Sequence, residues 1–476
     1  MSKFLISTIV LSGLMAGAAQ AQWLDTTLGV GGGPLALVYD SVDNRVFCAN
    51  HNSNNLAVID GATNQVITTV RVGSNPYVLC YNPQNDKVYC ANRDSNSVTV
   101  LDGASHQVIT TLQVGDYPHS LCYNRQNNKV YCANVFSDDA TVIDGTSDTV
   151  IATVWTGSTP FALCSNSQDS RVYCATQNLG HVVVIDGASN QVIATVAVGT
   201  YPWALCYNPQ NNKVYSADCG SDSVTVIDGA SNQVIATVGA GYEPWALCYD
   251  PRDNKVYCAN HGDSSVTVID GASNQVIATV AAGFHPYALC YNSQDRKVFC
   301  ANIDDASVTV IDGAADTAVE TIAIGGNLRA LACNPVQNRV YVANYDSNSV
   351  SVIRDSALGV AERAPSVERR FTLEAYPNPF SGQVRLQLTA RAGTEACPYR
   401  PDVRIYDVNG ALVRDLWGQP PSFPRPQLRG ETPGGSPYSL TWDGTDGVGR
   451  RVPAGVYVIR LTDGVNSADR KVMLLR

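Results

Sequence analysis

Short apolar runs separated by polar turn residues recur along most of this chain. Between Trp203 and Pro244, four such runs alternate with clusters of Asn, Asp, Gly, Ser and Pro. The runs are rich in Val, Ile, Tyr and Thr, a composition that favours β-strands joined by tight turns. None is long enough for the roughly ten residues of 3.6-residue periodicity that a helix needs. Each unit is therefore predicted to be a four-stranded antiparallel sheet.

This unit repeats every 42 residues without an insertion or a deletion. The residues that mark the register are Pro34, Pro76, Pro118, Pro160, Pro202, Pro244, Pro286 and finally Leu328. Four strands in about 40–45 residues is the period of a propeller blade, because a single sheet must bury its faces against neighbouring copies.

The two ends of the repeat region favour a closed ring over an open β-solenoid. The region begins with a lone fourth strand, Trp23–Val30, and ends with three strands, Arg329–Ile353. The two fragments complete one blade, which removes exposed sheet edges. The fold class predicted is all-β: an eight-bladed β-propeller with 42-residue blades, its N-terminal strand closing the last blade, followed by a small Ig-like β-sandwich.

The composition changes along the chain predict four segments. Residues 1–21 combine Lys3, an apolar core and a small-x-small ending at Ala21, which is typical of a signal peptide, so Gln22 is the expected mature N-terminus. Residues 22–354 form the propeller, and 355–370 form a charged, Ala- and Pro-containing linker. Residues 371–476 contain short strands outside the 42-residue period and are predicted to form the Ig-like domain.

The propeller repeat resembles a known family of surface proteins. The sequence Val340-Tyr341-Val342-Ala343-Asn344, followed by Ser349 to Ile353, is similar to the YVTN-type β-propeller repeat of bacterial and archaeal surface proteins. The resemblance covers roughly residues 22–354 and implies an exported surface protein. Members of that family commonly have seven blades, so eight blades would be a departure.

The C-terminal segment carries a second resemblance. Several motifs in order look like the C-terminal sorting domain of type IX secretion cargo, and they are also similar to the Ig-like domain of flagellar hook-capping proteins. These motifs are Tyr376-Pro377-Asn378-Pro379-Phe380, Ile405-Tyr406-Asp407, Thr441-Trp442-Asp443-Gly444, Pro453 to Tyr457, and Lys471 to Arg476. The resemblance implies passage across an outer membrane with the help of secretion machinery, followed by display at the cell surface or release. A Pro-rich insertion, Gln419–Gly435, departs from it, and an Ig-like spacer without a sorting role is the alternative.

Charge and motif content exclude several classes of function. The chain carries a net charge of −10, of which residues 22–354 carry −14, so no basic stripe is present to bind nucleic acid. No apolar run of about 18 residues predicts a transmembrane segment. No GxSxG, HExxH or phosphate-loop motif is present, and no acidic residue falls within a predicted innermost strand. We therefore expect no enzyme activity, no catalytic residues, no cofactor and no metal.

The 15 cysteines are numerous for a chain of 476 residues. Five pairs, ten residues apart, fall on the first hairpin of a blade: Cys80/Cys90, Cys122/Cys132, Cys164/Cys174, Cys248/Cys258 and Cys290/Cys300. Three readings stay open. The pairs could form cross-strand disulfides, which export would permit, or they could be buried thiols at sites that hold Val or Ala in other repeats. They could also form metal-binding ladders, but the sequence has no cysteine spacing typical of a zinc site.

The residue after each register position varies although the rest of the repeat hardly does. These residues begin the innermost strands and would surround one mouth of the central channel. Aromatic faces with an occasional cation suit sugar rings and peptide side chains, whereas packing between blades is the structural alternative. After Leu35, the predicted ligand-binding residues are Tyr77, His119, Phe161, Trp203, Trp245, Tyr287 and Arg329.

The loops between the second and third strands add a polar rim on the same face. Its predicted members are His51, Arg93, Phe136, Asp138, Asp139, Gln177, His181, Asp222, His261, Asp304, Asp305 and Tyr345. The function predicted is a non-enzymatic binding or adhesion module for a glycan or a protein at the cell surface. The alternatives are a secreted propeller enzyme of the redox or lyase type, perhaps with a metal held by His119 or His261, and a passive surface-layer protein.

Overall fold

The structure, a computed structural model, describes residues 22–355, 371–376, 381, 383–390, 402–407, 412–415, 438–462 and 467–475. The chain divides into two compact units, Met1–Ala361 and Glu362–Arg476. The predicted signal peptide, residues 356–370 of the predicted linker and the insertion Gln419–Gly435 lie outside the described residues. No helix among the described residues is long and apolar enough to cross a membrane.

The first unit contains eight four-stranded antiparallel sheets within residues 22–355, which confirms the predicted eight-bladed propeller. In each of the first seven blades the strands pair in chain order from the innermost to the outermost. Blade 1 contains β2 (Pro34–Asp40), β3 (Arg45–Asn50), β4 (Asn55–Asp60) and β5 (Val66–Arg71), and blade 2 contains β6 (Pro76–Asn82), β7 (Lys87–Asn92), β8 (Ser97–Asp102) and β9 (Val108–Gln113). Blade 3 contains β10 (Pro118–Asn124), β11 (Lys129–Asn134), β12 (Asp139–Asp144) and β13 (Thr149–Trp155), and blade 4 contains β14 (Pro160–Asn166), β15 (Arg171–Thr176), β16 (His181–Asp186) and β17 (Gln191–Ala197).

The remaining blades follow the same plan. Blade 5 contains β18 (Pro202–Asn208), β19 (Lys213–Asp218), β20 (Ser223–Asp228) and β21 (Gln233–Gly239), and blade 6 contains β22 (Pro244–Asp250), β23 (Lys255–Asn260), β24 (Ser265–Asp270) and β25 (Val276–Ala281). Blade 7 contains β26 (Pro286–Asn292), β27 (Lys297–Asn302), β28 (Ser307–Asp312) and β29 (Thr317–Ala323). Blade 8 contains β30 (Leu328–Asn334), β31 (Arg339–Asn344) and β32 (Ser349–Asp355), with β1 (Gln22–Gly29) as its outermost strand. Two single-turn 3-10 helices, Gln177–Leu179 and Cys219–Ser221, occupy loops of blades 4 and 5.

The ring closes where β1 pairs with β32, as the partial repeats predicted. Strand β32 runs to Asp355, the first residue of the predicted linker, and this carboxylate is almost fully buried. The side chain of Gln22 donates to it at 3.0 Å, and the ammonium of Lys297 in blade 7 lies 2.6 Å away. A buried charge pair is stable only while both partners are present, so this contact ties the N-terminal strand, blade 8 and blade 7 together.

Adjacent blades bury their faces against each other. At the junction of blades 5 and 6, Tyr215, Val224 and Val226 pack against Val256 and Ile269, and all five side chains are fully buried. Equivalent clusters lie at the other junctions. At about 25 cal/mol per Å² of apolar surface, this repeated burial is the main source of stability, which explains why the middle strands are almost wholly apolar.

The cysteines of the first hairpins do not form the cross-strand disulfides that were one of the three readings of the sequence. Cys80 lies opposite Tyr89, and Cys90 lies opposite Leu79. Since neighbouring register positions point to opposite faces of a sheet, the two thiols face different neighbouring blades. The register is therefore incompatible with the cross-strand reading in all five hairpins, which share it, whereas the buried-thiol reading fits the free cysteines. Cys80, Cys90, Cys122, Cys132, Cys164, Cys174, Cys248, Cys258 and Cys300 are free thiols.

One disulfide is present among the described residues, and it joins two blades. Cys290 of β26 is bonded to Cys333 of β30, 43 residues further along, with their Cα atoms 6.5 Å apart. In most blades the position of Cys333 holds a tyrosine, and at Ser165 it holds a serine. The bond therefore depends on a substitution in one repeat that places a second thiol against the neighbouring innermost strand.

The second-strand cysteines serve as buried hydrogen-bond donors. The thiol of Cys90 lies 3.5 Å from the side-chain oxygen of Asn92, and the same contact recurs for Cys48, Cys132, Cys258 and Cys300. Burial raises the pKa of the Cys90 thiol well above its ordinary value, so it stays protonated and can donate.

The described strands of the second unit form two sheets around one core. The strands are β33 (Phe371–Tyr376), β34 (Val384–Ala390), β35 (Asp402–Asp407), β36 (Leu412–Asp415), β37 (Tyr438–Trp442), β38 (Gly455–Thr462) and β39 (Ser467–Leu474). They pair in the orders β33-β34-β37 and β36-β35-β38-β39. Fully buried Trp442 packs edge-on against Tyr457, with ring centroids 5.1 Å apart, so residues of both sheets meet in one core as in a β-sandwich.

Candidate ligand-binding site at one mouth of the propeller

A β-bulge at the start of every innermost strand positions the variable residue of each repeat. In blade 5, Pro202 pairs with Asp218 and Ala204 with Ala217, so Trp203 has no partner in the ladder. The same shift occurs after the register residue of all eight blades. A bulged residue is released from the sheet's pairing and can be re-aimed, which explains how this single position can vary while the sheet around it stays constant.

The structure brings six of the predicted binding residues into one continuous chain of rings, the aromatic belt. Consecutive ring centroids lie 4.8 Å (Tyr77–His119), 3.8 Å (His119–Phe161), 4.4 Å (Phe161–Trp203), 3.9 Å (Trp203–Trp245) and 5.7 Å (Trp245–Tyr287) apart. All six side chains are half-buried. The belt thus follows six consecutive blades around one end of the central axis.

A guanidinium group lies at each end of the belt. Arg93 lies over the ring of Tyr77 at 3.4 Å, and Arg329 lies over the ring of Tyr287 at 5.2 Å. Both distances are within the range of cation–π interactions. Arg329 is the seventh predicted binding residue, whereas Leu35 leaves blade 1 without a ring, so the belt is open on that side.

Some predicted rim residues join this surface and others do not. His261 stacks on Trp245 at 4.8 Å, and Tyr345 lies 5.6 Å from the guanidinium of Arg329. By contrast, the carboxylates of Asp138 and Asp222 accept backbone N–H bonds from the next inter-blade loop, at 2.9 and 3.0 Å. Each of these carboxylates holds a turn in place with one of its oxygen atoms, and Asp222 also lines the cavity described below.

The residue that precedes each register proline also belongs to this surface, although the sequence did not single it out. Tyr117, Tyr201, Glu243 and His285 occupy this position with φ of 61°, 52°, 55° and 53°. Side chains other than Gly, Asn and Asp seldom adopt positive φ, and such strain is concentrated at functional sites. The only sequence signal was the variability of this position, which falls in a loop and not in a predicted strand.

Burial makes His119 a neutral member of the belt. Enclosure between Tyr77 and Phe161 lowers the pKa of His119 from 6.5 to about 4. Its Nδ1 lies 3.0 Å from the carbonyl oxygen of Phe161. A carbonyl can only accept, so Nδ1 carries the proton and Nε2 remains an acceptor. The residue therefore offers a flat polar ring without a charge.

A cavity of about 370 Å³ lies on the same end, between blades 4, 5 and 6. Trp203, Tyr201 and Tyr242 supply aromatic faces, and Asp222 and Glu243 supply carboxylates. Both tyrosines are more than half exposed. Its remaining lining residues are Gln177, Cys219 and Gly220. Apolar walls with a few converging polar groups are the usual composition of a small-ligand site.

Comparison with known proteins supports the propeller fold. The family of YNCE-like β-propellers matches residues 85–237. The hydrazine synthase of Kuenenia stuttgartiensis is similar in structure, at 18% identity over 74% of this chain and 100% of that one, with a TM-score of 0.50. The C-terminal WD40 domain of Sif2 is 14% identical over 71% of this chain and 99% of that one, with a TM-score of 0.61. No curated protein matches the sequence. The chain therefore contains a β-propeller, a fold suited to binding and scaffolding.

Proposed function

We propose that this protein is an exported, non-enzymatic binding module. Its ligand, for which a glycan is the first candidate, binds to the aromatic belt and the adjoining cavity. The observation that carries the proposal is the bulge-mounted belt from Tyr77 to Tyr287, with a guanidinium group at each end. Eight similar repeats differ at this projecting position, which is where a ligand would touch the ring.

The chemistry of the cavity favours a glycan over a peptide. Sugar rings present C–H faces that pack on aromatic rings, and hydroxyl groups that donate to carboxylates and amides. Trp203 and Tyr242 offer the faces, and Gln177, Asp222 and Glu243 offer the acceptors. A protein segment that uses the same surface is the alternative ligand.

The test is binding of the full-length chain to a glycan array, with a peptide array in parallel. The double variant Trp203→Ala/Trp245→Ala removes the centre of the belt. Trp155→Ala is the matched control, because Trp155 lies on outermost strand β13 and is 74% exposed. Loss of saturable binding in the folded double variant, with binding retained by the control, supports the proposal. Binding that survives both substitutions contradicts it, and no binding by any protein favours a passive surface-layer role.

The location at the cell surface is part of the same proposal. It is supported by the features of residues 1–21 and by the C-terminal motifs that resemble type IX sorting domains, among them Thr441-Trp442-Asp443-Gly444. Expression in a host with that secretion system, with and without residues 371–476, tests it. We expect the full chain outside the cell and the truncated chain retained in the periplasm. Equal export of both would leave residues 371–476 as a spacer.

A further inference from the structure

The inner strands end in a ring of amides at the face opposite the aromatic belt. At most blade junctions, the last residue of one innermost strand is an Asn that bonds the first turn of the next blade. The bond lengths are 2.8 Å for Asn82–Asn128, Asn166–Asn212 and Asn208–Asn254, 2.7 Å for Asn292–Asn338 and 2.9 Å for Asn334–Asn44, with Asn124–Ser170 at 3.3 Å. These contacts join the blades without any net charge.

The junction of blades 1 and 2 replaces this amide pair with acids. Asp40 ends β2, Asp43 lies in the following turn, and Asp86 occupies the position of Asn128 in blade 2. Oxygen atoms of the three carboxylates all lie within 4.8 Å of one another. Asp40 and Asp86 are 46 residues apart in the chain, so only the packing of adjacent blades brings them together.

Two of these carboxylates have buried oxygen atoms that lack a hydrogen-bond partner among the described residues. The side chain of Asp40 is 0% exposed, and its Oδ2 has no partner among the described residues. The same is true of Oδ2 of Asp43. The hydroxyl of Tyr81 lies beside the cluster, but it has a single proton, which it donates to Asp86 at 2.8 Å. A buried anionic oxygen without a partner is costly, so the site requires a positive charge.

Neighbouring basic groups do not supply that charge. The guanidinium of Arg45 bonds Asp60 of its own blade, and the buried Nε2 atom of His106 has no hydrogen-bond partner among the described residues. The junction of blades 6 and 7 offers a comparison. There Asp250 and Asp253 each also have an unpartnered oxygen, but Arg296 stands in place of Asp86 and bonds the other oxygen of Asp253, so a positive charge is present.

We propose that Asp40, Asp43 and Asp86 bind a calcium ion between blades 1 and 2. Calcium binds carboxylate oxygens at about 2.3–2.6 Å, so ligands on opposite sides of the ion lie about 5 Å apart, whereas magnesium needs about 2.0–2.1 Å and a stricter geometry. The ion would link two blades as the amides link the others. Asp40 is the last residue of innermost strand β2, whereas the sequence predicted no acidic residue within an innermost strand.

The experiment is calcium titration of the full-length chain after removal of metal with EGTA, followed by calorimetry and by thermal melting. Asp86→Asn is the test variant, because it places at this position the amide that most other junctions carry. Asp346→Asn is the control, since it changes the net charge equally at an exposed residue. If Asp86→Asn fails to fold, Asp86→Ser copies the serine of the blade 3–4 junction.

We expect one calcium ion per chain for the wild type and the control, and a higher melting temperature when calcium is bound. Asp86→Asn should bind calcium at least tenfold more weakly, and its melting temperature should be independent of calcium. A wild type that binds no calcium at millimolar concentrations would overturn the proposal, as would unchanged binding by Asp86→Asn. A larger response to magnesium than to calcium would overturn the choice of ion.

Discussion

Replacing His119 with phenylalanine, the residue at the equivalent position of blade 4, should remove part of the acid sensitivity of the propeller. Burial between two rings lowers the pKa of His119 from 6.5 to about 4. In the unfolded chain the imidazole titrates near its ordinary value of about 6.5. Between these two values, the unfolded state binds a proton that the folded state does not bind. The free energy of unfolding therefore falls as the pH falls through this window.

The size of the effect follows from the two pKa values. For a shift from 6.5 to about 4, linkage gives a loss of about 2 kcal/mol between pH 7 and pH 5, and about 3 kcal/mol by pH 4. Above pH 7 the contribution vanishes, because the imidazole is neutral in both states. The prediction therefore concerns a difference between two pH values, which is unaffected by any constant packing effect of the substitution.

The assay is urea unfolding of the full-length chain at pH 7 and pH 5, followed by tryptophan fluorescence. Tyr77→Phe is the control, because it alters the adjoining ring while the pKa of Tyr77, raised by burial, lies far above this window. We expect the wild type and the control to lose about 2 kcal/mol more than His119→Phe on acidification. Equal losses in all three proteins would refute a neutral, desolvated imidazole in the belt.

Two further predictions concern the contacts between blades. Ser165→Cys should form a second inter-blade disulfide with Cys122, because residues 122 and 165 occupy the same repeat positions as Cys290 and Cys333. Peptide mass spectrometry without reduction would detect the bond. A free Cys122 after oxidation would show that the two pairs of positions are not structurally equivalent. Lys297→Met should lower the free energy of unfolding by about 3–5 kcal/mol, since it leaves the buried carboxylate of Asp355 without its cation. Urea unfolding measures this change, with Lys297→Arg as the control. A loss below about 1 kcal/mol would show that the ion pair is dispensable.

Much of the fold could be predicted from the sequence because the interactions within a blade are local. Each strand follows its neighbour through a short turn, so the alternation of apolar runs and turn residues fixes four strands per 42-residue unit. The pairing of the N-terminal strand with Ser349–Asp355 was also predictable, because a ring requires the incomplete repeats to complete each other.

The belt could be predicted in part for a related reason. A near-perfect repeat makes any variable position stand out. The position that holds Trp203 and Trp245 in two repeats holds Tyr77 and Arg329 in two others. What the repeat could not show is that a bulge releases this residue from the sheet, or that Tyr201 on the adjoining loop lines the same cavity.

The sequence by itself thus determined the number of blades, the order of strands and the way the ring closes, since these depend on local periodicity and chain ends. Tertiary structure alone decided which side chains meet between blades. Cys80 and Cys90 are close in sequence but face opposite ways, whereas Cys290 reaches Cys333 in the next blade. The physical reason is that a shift of one residue in register turns a side chain to the other face of its sheet, and the identity of its new neighbour is set by the adjacent blade, 42 residues away.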